Sequence, residues 1–203
     1  TNGAAGNINH IDVTSAEPQK GLGEAKKIGT VLAGEVLKTL ARMKPVPEGA
    51  LHARSETVEL AIPAYKAGEV DKARLVASRF DRPDSPGTVA LAEAFRILDT
   101  TERKEKPLEA EVQVVALGKT LAWVGLPGEI FVELGQAVKK ASPFATTVIV
   151  ELSAGHIGYV PSKKAFEEGG YEVVSARMSP GGGERLAETA IRLLNELHQL
   201  QNK

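Results

Sequence analysis

Glu109-Ala110-Glu111-Val112-Gln113-Val114-Val115-Ala116-Leu117 and Thr120-Leu121-Ala122-Trp123-Val124-Gly125 are parted only by Gly118-Lys119, and this stretch decides the class of the fold. Both runs are apolar with interleaved polar residues, and the short break carries a glycine, so the pattern predicts a β-hairpin. Working outward, residues 128–141 place Phe131, Leu134 and Val138 on one helical face. Next comes Thr146-Thr147-Val148-Ile149-Val150-Glu151-Leu152, a β-branched run of the kind found in interior strands. Upstream, Val58, Leu60 and Ile62 alternate with other residues and read as a half-buried strand ended by Pro63. Helical spacing predicts helices over 24–43, 66–79, 88–101 and 184–200. The first carries a stripe of Ile28, Leu32, Val36, Leu40 and Met43, and stops at Pro45 and Pro47. Helices and strands alternate, so the class is α/β: a mixed β-sheet with helices packed on it.

The chain has 203 residues, which suits one α/β domain spanning residues 1–203. Residues 102–106, a charged connector, are its weakest point. Hydrophobic residues make up 42% and charged ones 25%, a balance that argues against disorder. Lys and Arg number 25 against 26 Asp and Glu, for a net charge of -1. That leaves no basic excess to recruit nucleic acid or an anionic membrane surface. Cysteine is absent, which excludes disulfides, thiolate metal sites and cysteine nucleophiles while leaving the compartment open. No apolar run reaches the roughly 18 residues of a membrane span. The opening, Thr1-Asn2-Gly3-Ala4-Ala5-Gly6-Asn7, reads as a loop cut inside a longer protein.

Two short stretches hold the candidate chemistry. Leu126-Pro127-Gly128-Glu129 opens the helix expected over 128–141, and Gly158-Tyr159-Val160-Pro161-Ser162 closes the strand after it. Each sets one polar side chain at the end of an apolar element, and in α/β sheets ligands bind beyond the carboxyl ends of strands. Glu129 and Tyr159 could therefore share a metal ion in one crevice. Equally, Glu129 could be a carboxylate favoured in a first helical turn, with Tyr159 a rim aromatic. His156 lies in the glycine-rich loop before Tyr159, and His10 follows Asn9 in a loop bordering the same crevice. Gly181-Gly182-Gly183 before the last helix could be a turn or an anion cradle. The chain has no Walker A loop, dinucleotide fingerprint or Gly-x-Ser-x-Gly elbow.

Taken together with Phe166-Glu167-Glu168-Gly169-Gly170-Tyr171-Glu172, these stretches resemble the neutral/alkaline (non-lysosomal) ceramidase family. Asn2-Gly3-Ala4-Ala5-Gly6-Asn7-Ile8-Asn9 resembles that family's Gly-Asp-x-Ser-Pro loop. The resemblance runs from the first residues to about Tyr171, over the C-terminal part of the family's catalytic domain. It implies a zinc amidase that splits ceramide into sphingoid base and fatty acid. By that resemblance Glu129 and Tyr159 are two of the zinc ligands. Tyr171 would stabilise the oxyanion, and His10 and His156 would line the substrate side. The two histidine ligands would come from a missing N-terminal half or a partner chain, a second copy included.

Asn9 falls where the family has its active serine and His10 where it has proline. An amide side chain can hydrogen-bond but is no nucleophile, so the resemblance also admits a noncatalytic ceramidase-like binding or interaction domain. For localisation it implies export, as a secreted or periplasmic protein.

Overall fold

The computed structural model describes residues 1–104 and 106–201. Contacts divide the chain into two units: Thr1–Ile8 with Gly49–Lys203, and Asn9–Glu48. The division falls at Asn9 and Glu48, not at the 102–106 connector. The smaller unit holds one long helix, α1 (Leu22–Leu40), which begins two residues before the expected start and buries none of its residues. Surface pairs Lys27–Glu24 and Lys38–Glu35 lie along it.

In the larger unit a four-stranded sheet runs in the order β1-β2-β3-β5, formed by β1 (Leu51–Leu60), β2 (Leu108–Leu117), β3 (Leu121–Gly125) and β5 (Thr146–Val150). The expected hairpin is present: β2 pairs antiparallel with β3, Leu117 opposite Leu121 and Gln113 opposite Gly125. β1 pairs antiparallel with β2, whereas β3 and β5 run parallel, so the sheet is mixed. β5 contradicts one expectation. Its β-branched run predicted an interior strand, yet among the described residues it has a neighbour on one side only. β-branching reports a packed, pleated surface and does not count hydrogen-bonded neighbours.

Along β2 every second residue is buried, namely Leu108, Ala110, Val112, Val114 and Ala116. That face meets α7 (Gly182–Leu200), which also packs on β1 and on α4 (Val132–Ala141). Helix α7 turns Leu186, Ala190, Leu193, Leu194 and Leu197 inward, the stripe read from the sequence. A second, smaller apolar cluster joins Val70 and Ala73 of α2 (Ala67–Ala77) to Ala94 and Ile97 of α3 (Thr88–Glu102). No helix among the described residues is long and apolar enough to cross a membrane.

The helix expected over 128–141 is split. Glu129 and Ile130 form a short strand, β4, and the helix α4 starts only at Val132. β4 pairs in parallel with a second two-residue strand, β6 (Tyr159–Val160). Two short helices follow, α5 (Lys163–Glu168) and α6 (Tyr171–Ser175).

Candidate metal and amide site

Glu129 and Tyr159 are register partners in the parallel β4–β6 ladder. Opposed residues of a ladder project from the same face, so the two side chains meet. Glu129 is therefore not a charge in a first helical turn; that position belongs to Glu133 of α4. Two glycines make the ladder possible, for different reasons. Gly158 has φ of 84°, left-handed backbone that L side chains rarely adopt, with open space beside it. Gly128 is required by space, because a Cβ there would lie 2.6 Å from the Gly158 carbonyl oxygen. That oxygen already accepts the Glu129 N–H at 3.0 Å.

The Tyr159 phenol is pushed up to about 12 from its ordinary 10.0. Burial is the largest cause, followed by the negative charge of Glu129 and a hydrogen bond to its carboxylate, with Tyr171 and Glu172 adding to the push. A carboxylate beside a phenol penalises phenolate, so Tyr159 stays protonated and donates to Glu129. A raised phenol value stabilises the fold in full below pH 10, and that contribution is lost as pH rises towards 12. Replacement of Glu129 by Gln removes the charge while keeping the volume. Titration of phenolate absorbance is expected to show Tyr159 ionising closer to 10 in Glu129→Gln. An unshifted alkaline profile in that variant would show that Glu129 does not set the Tyr159 value.

Two further groups border the pair. The Tyr171 ring packs edge-on against Tyr159, centroids 5.9 Å apart, and stays 40% exposed at the start of α6. His156 Nε2 lies 3.7 Å from Glu129 Oε1. The sequence places His156 among the substrate-lining residues; the fold sets it against Glu129. In the loop that carries it, Leu152 and Ala154 hold left-handed conformations, at φ of 56° and 60°. Such strain in non-glycine residues persists only where surrounding packing enforces it. Asn9 and His10 belong to the smaller unit, and both side chains are engaged there. Asn9 Oδ1 accepts the Ile11 N–H, and His10 Nε2 lies 2.9 Å from the Gln19 carbonyl.

Two carboxylates that sequence reading had not assigned a role position the site. Glu151 is buried at 8% exposure, and its Oε2 accepts both the Ala5 and the Ile130 N–H at 3.1 Å. It ties the N-terminal segment to β4, one residue from Glu129. The one signal for it was a charge interrupting an apolar run. Glu133 accepts from Ser162 Oγ at 2.6 Å and from Asn7 Nδ2 at 3.0 Å. Partial burial opposes its ionisation, but these donors and Lys164 hold its carboxyl below the usual range. Gly6 is pressed against this frame, for a Cβ on it would stand 2.2 Å from the Glu129 carbonyl oxygen.

The triple glycine is a packing device. A Cβ on Gly183 would meet Leu134 Cδ1 and the Pro161 oxygen, each at 2.6 Å, and Glu184 in the first turn accepts the Lys163 N–H at 2.6 Å. Glu184 thus caps the first turn of α5.

As a metal centre the chain offers a partial donor set. Glu129 and Tyr159 supply two oxygens, with His156 beside them. No group of three or more His, Cys, Asp or Glu suited to a metal occurs among the described residues. Zinc sites take three or four protein ligands, so the pair fits half of a shell.

No protein-family model matches the chain, and no curated protein sequence matches it. Among solved structures, it is similar to the neutral ceramidase of Pseudomonas aeruginosa, with 18% identity and a TM-score of 0.50. A structure described as ceramidase complexed with C2 aligns at 15% identity and a TM-score of 0.49. Either alignment covers 74% of this chain, but only 29% and 30% of the respective ceramidase chains. The chain thus spans less than a third of the length of those proteins. At that level of identity the likeness is one of architecture: the chain has a ceramidase-like α/β fold.

Proposed function

We propose that this chain is part of a ceramidase-like, metal-dependent hydrolase that cleaves an amide bond, with an N-acyl lipid as the substrate class. The observation that carries this reading is the register pairing of Glu129 with Tyr159, with Tyr171 and His156 against the pair. The ceramidase-like fold supports it.

In this reading Glu129 and Tyr159 are two of the ligands of a zinc ion, and the remaining donors come from further polypeptide or a partner chain. Zinc held with an open position lowers the pKa of bound water to about 7 and polarises a carbonyl. The chain's own residues supply the rest. Tyr159 would hold the metal as phenolate, so metal uptake would release its proton. Tyr171, half-exposed at the edge of the pair, donates its O–H to the oxygen that gains charge as the amide carbon becomes tetrahedral. His156, beside Glu129, lines the path of the substrate. Glu151 keeps β4 in register while this happens.

The test is a zinc titration of the chain, followed by calorimetry and by tyrosine absorbance. Weak binding with a phenolate signal is expected, reduced about tenfold or more in Glu129→Ala. The signal is expected to vanish in Tyr159→Phe. Equal binding by wild type and both variants would overturn the ligand assignment. A second reading, a noncatalytic ceramidase-like binding domain, is favoured by Asn9 standing where the family has serine. Absence of any zinc-dependent phenolate signal would move the assignment to it.

A further inference from the structure

Helix α1 of the smaller unit buries none of its residues, and its apolar side chains stand in solvent: Leu32 is 65%, Val36 52% and Leu40 54% exposed. With Ile28 they recur every four residues, so at about 100° per residue they fill an arc of roughly 120°. Val31 and Leu37, both exposed, flank that arc on either side. Met43, three residues beyond the helix end, lines a shallow groove of about 290 Å³ with Leu32, Val36 and Leu40. A helix of 19 residues that packs on nothing is marginal in water, because burial of an apolar face is what normally holds one.

Charge is as unevenly placed on this helix as polarity. The whole chain is balanced at -1, but residues 20–44 hold six basic residues against two acidic ones, a net of +4. The two acidic residues are paired within the helix, Glu24 with Lys27 at 3.2 Å and Glu35 with Lys38 at 2.8 Å. Lys20, Lys26, Arg42 and Lys44 have no ion pair among the described residues, and they stand two at each end of the helix. The other acidic residues of this unit, Asp12, Glu17 and Glu48, lie outside the stretch.

We infer that α1 lies along an anionic bilayer surface, its Ile28, Leu32, Val36 and Leu40 stripe in the acyl boundary and its end charges on the lipid head groups. A basic helix with one apolar face, too polar to cross a membrane, is of the interfacial kind, held by buried apolar area and by attraction to anionic lipid. The charges favour a bilayer over a second copy of α1, because pairing two helices of net +4 brings like charge together. Standing at both ends of a helix about 28 Å long, they suit an extended anionic plane better than a compact acidic pocket on a protein. The balance of the chain as a whole conceals this local excess. The inference does not rest on the hydrolase reading.

Flotation with phosphatidylcholine vesicles containing about one third phosphatidylserine tests this, beside vesicles of phosphatidylcholine alone. The chain is expected to bind the mixed vesicles about tenfold or more tighter than the neutral ones, with a loss as salt rises. Lys26→Gln with Arg42→Gln removes a charge at each end and is expected to weaken binding about tenfold or more. Leu32→Gln with Leu40→Gln is expected to do the same, and since both positions are exposed the unbound chain should melt as wild type does. The chain has no cysteine, so Leu32→Cys and Gly34→Cys each carry an environment-sensitive dye to one place, Gly34 being opposite the stripe with open space beside it. Dye emission should shift blue on the mixed vesicles at position 32 and stay unchanged at 34. Absence of binding, equal binding to both vesicles, equal blue shifts, or double variants that bind like wild type would overturn the inference. So would a dimer in sedimentation that Leu32→Gln with Leu40→Gln dissolves, which gives the stripe to a second copy. Glu129→Ala, in the larger unit, is expected to bind vesicles like wild type, so this inference and the zinc assignment fail separately.

Discussion

Gly128→Val forces apart the ladder that joins Glu129 to Tyr159 and lowers stability by about 1–3 kcal/mol, the usual cost of overpacking a close contact. The added Cβ would lie 2.6 Å from the Gly158 carbonyl oxygen, 2.9 Å from Val160 Cγ2 and 3.2 Å from Ile157 Cγ1. The first of these is backbone and is the acceptor of the Glu129 N–H, so relief of the clash breaks the bond that sets the register. Two readouts follow. The urea midpoint falls, and Tyr159, parted from Glu129, ionises nearer its ordinary 10.0 than about 12. A variant that keeps both the midpoint and the alkaline titration of wild type would show that the contact is not tight.

Leu194→Ala is expected to cost about 2–5 kcal/mol, the range for emptying a fully buried leucine site. Leu194 is wholly buried on α7, amid the side chains that close the sheet face formed by β1 and β2. Alanine is the strongest helix former, so α7 itself should persist and the loss reports packing alone. Against a typical total of about 5–15 kcal/mol, such a loss is large enough to move the urea midpoint clearly, with an unchanged slope. Leu200, at 42% exposure on the same helix, is the control, and its replacement by Ala should stay within about 0.5 kcal/mol. Equal effects at the two positions would contradict the placement of the core.

Periodicity made part of this architecture legible. The hairpin of β2 and β3, the stripe of α7 and helix α3 all extend over enough residues for a period of 2 or 3.6 to show. Glycine and proline marked the breaks between them. The same signal misled at Glu129. The helical spacing of Phe131, Leu134 and Val138 ran back over Glu129, although the backbone there is extended and Phe131 is only the helix cap. A two-residue strand has no period to detect, and β4 exists because β6 lies beside it. The amphipathic stripe of α1 was real as a pattern, but α1 buries none of its residues.

The residue types at the candidate site could be named from sequence because Glu129 and Tyr159 are polar groups at the ends of apolar runs. Their register as ladder partners, the approach of His156 and the two positioning carboxylates could not, since each contact joins residues 20 or more positions apart. The buried hydroxyls of Tyr65 and Thr100, without a partner among the described residues, were equally invisible, because whether a hydroxyl finds an acceptor depends on what the fold brings to it. For the longer elements sequence by itself determined helix or strand, and in α7 the buried face as well, for these are local and periodic. Tertiary structure alone decided which strand ends meet, which strand is an edge and which polar groups find a partner, because hydrogen-bond pairing and burial are set by neighbours distant along the chain.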